Sequence, residues 1–220
     1  MEPWAISLLA WCCGVGLLGA AVSPWLLRLA KNARTAPLTT PWYLTRSGCA
    51  AVGVITGAVC AAWASHQSAA VMPGLALILI TACGASLVDA ASFRLPDVLV
   101  LRGWAAGAVF LTVGALAHGS PSRLVTAIAI SLGSWAVFAS LAWIYPAGIG
   151  YGDVKLTGML ALATGWWGLT IAVAAVIGAF IVGGLIGVAL MASKRARGST
   201  PIPFGPALVL AAALAPLALG

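Results

Sequence analysis

From Trp4 to Leu219 the chain is a succession of apolar runs, parted by short polar turns. Most runs reach about 18 residues, and a helix of that length spans about 27 Å, close to one bilayer core. Such runs leave few options. In lipid every backbone donor and acceptor must be satisfied internally, so only helices and closed barrels cross. A barrel would show alternating segments of about ten residues. The runs of Ala, Leu, Val, Ile and Gly here do not alternate. Only 7% of the 220 residues are charged and 62% are hydrophobic, whereas a soluble domain carries about 25% charge. The expected fold is therefore all-α, a polytopic transmembrane helix bundle.

Six long runs are expected, at about Trp4 to Leu29, Ser47 to Ala64, Val71 to Val88, Val98 to Ala117, Leu124 to Ile144 and Leu169 to Met191. A short segment from Asp153 to Gly165 precedes the last of these, and a final run follows Pro206. That makes about eight membrane segments, the sixth too short to cross alone at about 20 Å. Glu2, with no Lys or Arg before the first run, argues for a retained span rather than a cleaved signal, with the N-terminus outside. Residues 1–70 are read as two N-terminal spans joined by a short basic cytoplasmic loop. Residues 71–220 are read as a six-segment core. No internal repeat is visible.

The formal net charge is +7. A nucleic-acid partner would need those charges clustered on a solvated domain, and none exists, so no nucleic acid is expected. The basic residues mark topology and meet lipid headgroups instead. With the N-terminus outside, ten of them fall at the cytoplasmic side: Arg28, Lys31, Arg34, Arg46, Arg94, Arg102, Lys155, Lys194, Arg195 and Arg197. Only Arg123 falls on the other side. Moving the segment count by one pass would destroy that bias. An even number of segments puts the C-terminus outside as well.

The same count pairs two carboxylates. Only four acidic residues exist, Glu2, Asp89, Asp97 and Asp153. An ionisable group among apolar spans marks a functional site by default. Asp89 ends the third segment and Asp153 begins the sixth, so both reach the cytoplasmic face. Two carboxylates at one level suit aspartic-type hydrolysis, one as general base and the other as general acid. Read on its own helix, Asp153 sits at a positive dipole end and Asp89 at a negative one. That reading makes Asp153 the resting base and Asp89 the resting acid. Gly148, Gly150 and Gly152 read as backbone that takes positive φ and lets substrate approach closely.

Gly150-Tyr151-Gly152-Asp153-Val154-Lys155-Leu156 matches the G-x-G-D-x-K-L signature of type IV prepilin peptidases. Asp89 followed by Arg94-Leu95-Pro96 resembles that family's first aspartate motif. Ile202-Pro203-Phe204-Gly205-Pro206 resembles its box before the last helix. The resemblance covers about residues 71–219. It implies a bacterial inner-membrane, multi-pass aspartic endopeptidase that cuts the basic leader from prepilin or pseudopilin precursors at the cytoplasmic face. Asp89 and Asp153 take the catalytic positions, with Gly150, Gly152, Lys155, Arg94 and Pro96 as supporting motif residues. No metal and no cofactor are implied. Many members also N-methylate the product and carry a cytoplasmic domain with C-x-x-C pairs between the first two helices. The connector here runs only from about Ala30 to Arg46 without such a pair, so a compact, peptidase-only form is expected. The alternative is a small proton- or cation-coupled transporter using the same two aspartates; a structural subunit without chemistry is a third reading.

The remaining residues have plainer readings. Asp97 reads as a helix cap. Arg94 reads equally as a partner of Asp89 or substrate and as a headgroup contact. Lys155 divides between site electrostatics and membrane anchoring. Tyr151 reads as site lining or as interfacial. His66 and His118 fall on the face opposite the aspartates. The ten tryptophans read as interfacial belts, Trp166-Trp167 above all. The five cysteines read as small buried apolar residues rather than a disulfide or zinc framework. Oligomeric state is not legible.

Overall fold

Eight α-helices account for the apolar runs in a computed structural model that describes residues 3–32, 41–146, 148–193 and 202–220. Glu2, Arg34, Lys194, Arg195 and Arg197 lie outside the described residues. The helices are α1 (Pro3–Lys31), α2 (Arg46–Ala64), α3 (Met72–Ser92), α4 (Asp97–Ala117), α5 (Pro121–Ile144), α6 (Tyr151–Thr164), α7 (Leu169–Ala192) and α8 (Gly205–Leu219). A single 3₁₀ turn, Trp42–Leu44, precedes α2. α1 to α5 and α7 are long and apolar enough to cross a membrane, while α6 has 14 residues and α8 has 15.

The boundaries follow local chemistry. α3 runs one turn beyond the expected end, to Ser92. It then stops because Phe93 turns left-handed (φ 53°) while its N–H still bonds the carbonyl of Asp89 at 2.7 Å. Such an αL residue is a common helix terminator. Pro96 then sets the extended entry to α4 (φ −74°, ψ 112°). Asp89 therefore lies inside the last turn of α3, as expected.

The helices pack as sequential pairs, α1 with α2, α3 with α4, α5 with α6 and α7 with α8. α3 and α6 form the middle of the bundle. From Leu156 to Thr164 every residue of α6 is buried, whereas α7 buries only Ile171, Ala172, Ala175 and Ala179. Burial on all sides explains why α6 shows no amphipathic pattern. Polar ties fix it laterally. Trp104 Nε1 donates to Ser131 Oγ at 3.1 Å, and Ser131 donates to the Gly158 carbonyl at 2.7 Å, joining α4, α5 and α6. Trp63 Nε1 donates to the Ala213 carbonyl at 3.2 Å, joining α2 to α8.

The tryptophans correct the belt expectation. Trp63 and Trp166 are buried, Trp166 donates to Gln67 Oε1 at 2.8 Å, and the rings of Trp63 and Trp167 lie 5.1 Å apart. These indoles serve as core with a satisfied N–H. Trp143, at the end of α5, is 85% exposed and stays outside this core. All five cysteines are free thiols.

Candidate active site

Two helix ends and one loop build the site. Asp89 is buried in the last turn of α3, and Asp153 is half-buried in the first turn of α6. Between them, the 93–96 loop and the start of α4 close one side. The result is a cavity of about 630 Å³. Asp89, Arg94, Pro96, Gly150, Gly152, Asp153 and Lys155 all line it. Seven residues expected at the site from the sequence thus reach one cavity, while Gly148 does not line it. Leu29 and Asn32, at the end of α1, line it as well. Nothing in the pattern around Asn32 marked it, because it lies in a stretch read only as topology signal.

Several details differ from expectation. Gly150 has φ −69°, and among the described glycines only Gly119 and Gly168 have positive φ. The motif glycines therefore serve proximity rather than unusual backbone. A Cβ on Gly152 would lie 2.9 Å from Cβ of Leu95, so the bare backbone lets the 93–96 loop close onto α6. A Cβ on Gly150 would meet Asp153 Oδ2 at 3.3 Å. The glycines tighten the cavity wall and do not form a hinge.

Asp97 is not a cap either. The N-cap position of α4 is Pro96, without a side-chain hydrogen bond, and Asp97 follows in the first turn, where its charge suits the helix dipole. Its carboxylate pairs with Lys155 Nζ at 2.8 Å, the one ion pair among the described residues. Lys155 is only 16% exposed and also sits 4.8 Å over the Tyr151 ring. Lys155 therefore belongs to the cavity wall, clamping α6 to α4. Arg94 is exposed at the rim and makes no ion pair among the described residues.

Hydrogen bonding separates the two aspartates. Burial, and then the Asp89 carboxylate, push Asp153 up to about 7 from the ordinary 3.8. Near neutral pH Asp153 is therefore poised to hold or release a proton. Asp89 accepts a hydrogen bond in the interior instead: the backbone N–H of Gly205, on α8, donates to its Oδ2 at 3.0 Å. Sequence reasoning had no means to find this contact. Two carboxyl groups facing one cavity can do general acid–base work on a bound polar group.

At the other end of the bundle a second cavity, about 450 Å³, is lined by His66, Gln67, Arg123, Trp166 and Trp167 among others. His66 thus lies away from Asp89 and Asp153. Among the described residues no cluster of three His, Cys, Asp or Glu could hold a metal ion.

Comparison with known proteins points to one family. Residues 75–188, just over half the chain, match the sequence profile described as "Type IV leader peptidase family". The "Prepilin leader peptidase/N-methyltransferase" of Pseudomonas aeruginosa is 36% identical over 131 residues, covering 57% of this chain and 42% of that protein. The protein of the same name from Stutzerimonas stutzeri is 32% identical over 196 residues, covering 85% of this chain and 62% of that protein. The Pseudomonas putida protein of that name is 32% identical over 139 residues, covering 60% and 45%. The chain spans about half the length of the curated relatives it matches. No solved structure matches it.

Proposed function

Because the chain belongs to the type IV leader peptidase family, we propose that it is a membrane aspartic endopeptidase with Asp89 and Asp153 as its acid–base pair. One observation carries this reading: two aspartates far apart in sequence line a single polar cavity in a bundle with almost no other acid. In the proposed reaction one aspartate takes a proton from water as that water attacks the scissile carbonyl. The other gives its proton to the carbonyl oxygen. The scheme uses no metal and no cofactor.

The relatives' printed name supplies the substrate class, a prepilin whose leader is removed; the motif resemblance extends it to pseudopilin-like precursors and to a basic leader. The basic bias of the loops supports a site on the cytoplasmic side with both termini outside, and the family resemblance supports the inner membrane. Residues 71–220 are the catalytic core in this reading, and α1 and α2 flank it. The relatives' second named activity, N-methyl transfer, is not assigned here, since the α1–α2 connector is short and holds no cysteine pair.

Co-expression with a tagged prepilin and a gel shift tests the reading. Cleavage is expected from the wild type and is lost in Asp89→Ala and in Asp153→Ala. Cleavage that survives either change ends the two-aspartate scheme. Aspartate-dependent proton flux in liposomes without cleavage would make the chain a transporter. Intact mass of the product reports methylation.

A further inference from the structure

Helix α8 starts without a side chain able to cap it. Its N-cap is Phe204, with no side-chain hydrogen bond, and Pro206 has no N–H. A helix start leaves backbone donors orphaned, and buried orphans must find a partner. The Gly205 N–H finds one on another helix, Oδ2 of Asp89 at 3.0 Å, in a buried contact. Asp89 therefore caps α8 from α3. The carboxylate also faces the positive end of the 15-residue α8. Asp153 receives no side-chain hydrogen bond among the described residues. Space explains the glycine. Its φ is not left-handed, but a Cβ would stand 2.8 Å from Asp89 Oδ2 and 3.4 Å from Asp89 Cγ.

We propose, building on the two-aspartate reading above, that Gly205 is a positioning residue: its N–H fixes Asp89 as the carboxylate of the pair and leaves the resting proton on Asp153. The Ile202-Pro203-Phe204-Gly205-Pro206 box then acts through Asp89 rather than merely starting a helix. The other groups around Asp89 do not cancel this bias. α6 presents Asp153, plus Lys155 already paired with Asp97 of α4. The 93–96 loop presents Arg94 at the rim, α1 presents uncharged Leu29 and Asn32, and α8 has no ionisable side chain.

The step balances with these roles. Asp89 takes a proton from water as the water oxygen bonds the scissile carbon, and Asp153 gives its proton to the carbonyl oxygen. A neutral diol results. Asp89 then protonates the leaving nitrogen as the C–N bond breaks, and Asp153 recovers a proton from the diol. This order reverses the one read from each aspartate's own helix dipole, because a third helix end was not in that account.

Rates alone do not assign the proton in a coupled pair, so the test is an infrared titration of the carboxyl band in nanodiscs. Spectra are taken against the double Asp→Asn variant. Asp89→Asn leaves only Asp153, and Asp153→Asn leaves only Asp89. The carboxyl of Asp89→Asn is expected to keep its proton to a pH about one unit higher, a tenfold difference in proton affinity. The opposite order overturns the proposal. Adding Gly205→Pro to Asp153→Asn removes the N–H and shifts that titration upward. Adding Gly205→Ala, which keeps the N–H but pushes on the carboxylate, shifts it the same way and serves if Gly205→Pro does not fold. Gly178→Ala is the control, since its Cβ would meet only the Cβ of Ala211 at 3.4 Å. An unmoved titration in both Gly205 variants overturns the proposal. If prepilin is not cleaved but the order holds, only the peptidase reading fails. If prepilin is cleaved and the order is reversed, only this inference fails.

Discussion

The two ends of the bundle carry cavities of comparable size, about 630 Å³ and 450 Å³, and both are partly polar. Their chemistry differs. One end gathers Asp89, Asp97 and Asp153 with Lys155 and Arg94. The other offers His66, Gln67 and Arg123 beside Trp166 and Trp167, and none of its side chains is acidic. Helix ends of both polarities border each cavity, the far one adjoining the N-termini of α5 and α7 and the C-termini of α6 and α8. At the first end the α6 and α8 N-termini meet the C-terminal turn of α3, so backbone donors and a carboxylate converge. The acidic side chains mark the candidate active site, and neither volume nor helix polarity distinguishes the two cavities.

The largest break between the ends should come from removing acid. Asp153→Ala or Asp89→Ala is expected to lower the cleavage rate by roughly 10²–10⁴-fold, the usual scale for a general acid or base. His66→Ala and Arg123→Ala at the far end should leave it within about twofold, a change of about 0.4 kcal/mol in the barrier. Equal losses at both ends, measured on the same prepilin substrate, would erase the distinction.

The wall of the site comes next. Gly152→Ala forces a Cβ to within 2.9 Å of Leu95 Cβ, which is not a flexible tip. Overpacking of this kind costs about 1–3 kcal/mol, and here it opens the 93–96 loop from α6. Cleavage should fall about tenfold, for a barrier increase of about 1.4 kcal/mol. Gly133→Ala, mid-helix in α5 with nothing within 4 Å of its Cβ, should leave cleavage unchanged and should not lower thermal stability.

Protonation sharpens the contrast through stability. Asp153 binds its proton to about 7 in the folded chain, against 3.8 ordinarily. Between those values the folded state holds a proton that the unfolded state has released. Raising the pH across that window therefore favours unfolding, and the contribution is flat below and above it. The unfolding temperature of the wild type should fall from about pH 4 to pH 7 by more than that of Asp153→Asn. An identical pH slope in the variant would show that Asp153 is not the group responsible.

The smallest effect belongs to the Lys155–Asp97 pair. Asp97 is 60% exposed, so water screens the pair and its contribution to stability is about 0–1 kcal/mol. Lys155→Gln should shift the unfolding temperature by no more than a few degrees, in line with that energy. A large loss of stability would show that the clamp between α4 and α6 holds the site together.

Much of the fold was legible because membrane crossing is a one-dimensional constraint. A run of apolar residues must be a helix of bilayer length, and Pro96 and Gly205-Pro206 mark where helices end and begin. The tryptophans were misread because indole suits both an interface and a core with an acceptor. Composition does not choose between those, while the packing of Trp63 against Trp167 does. The Lys155–Asp97 pair was missed because each residue had a sufficient local explanation.

From the sequence alone came eight helical segments and two carboxylates among them, because hydropathy and charge are local properties of the chain. The residue types that build the site were likewise already written in the two aspartate motifs. Which neighbour each carboxylate meets was decided only by the tertiary structure. The Gly205 donor lies 116 positions from Asp89. A helix dipole read along one helix omits the ends of the others, and the packing of α8 against α3 supplies the hydrogen bond that makes the two aspartates unequal.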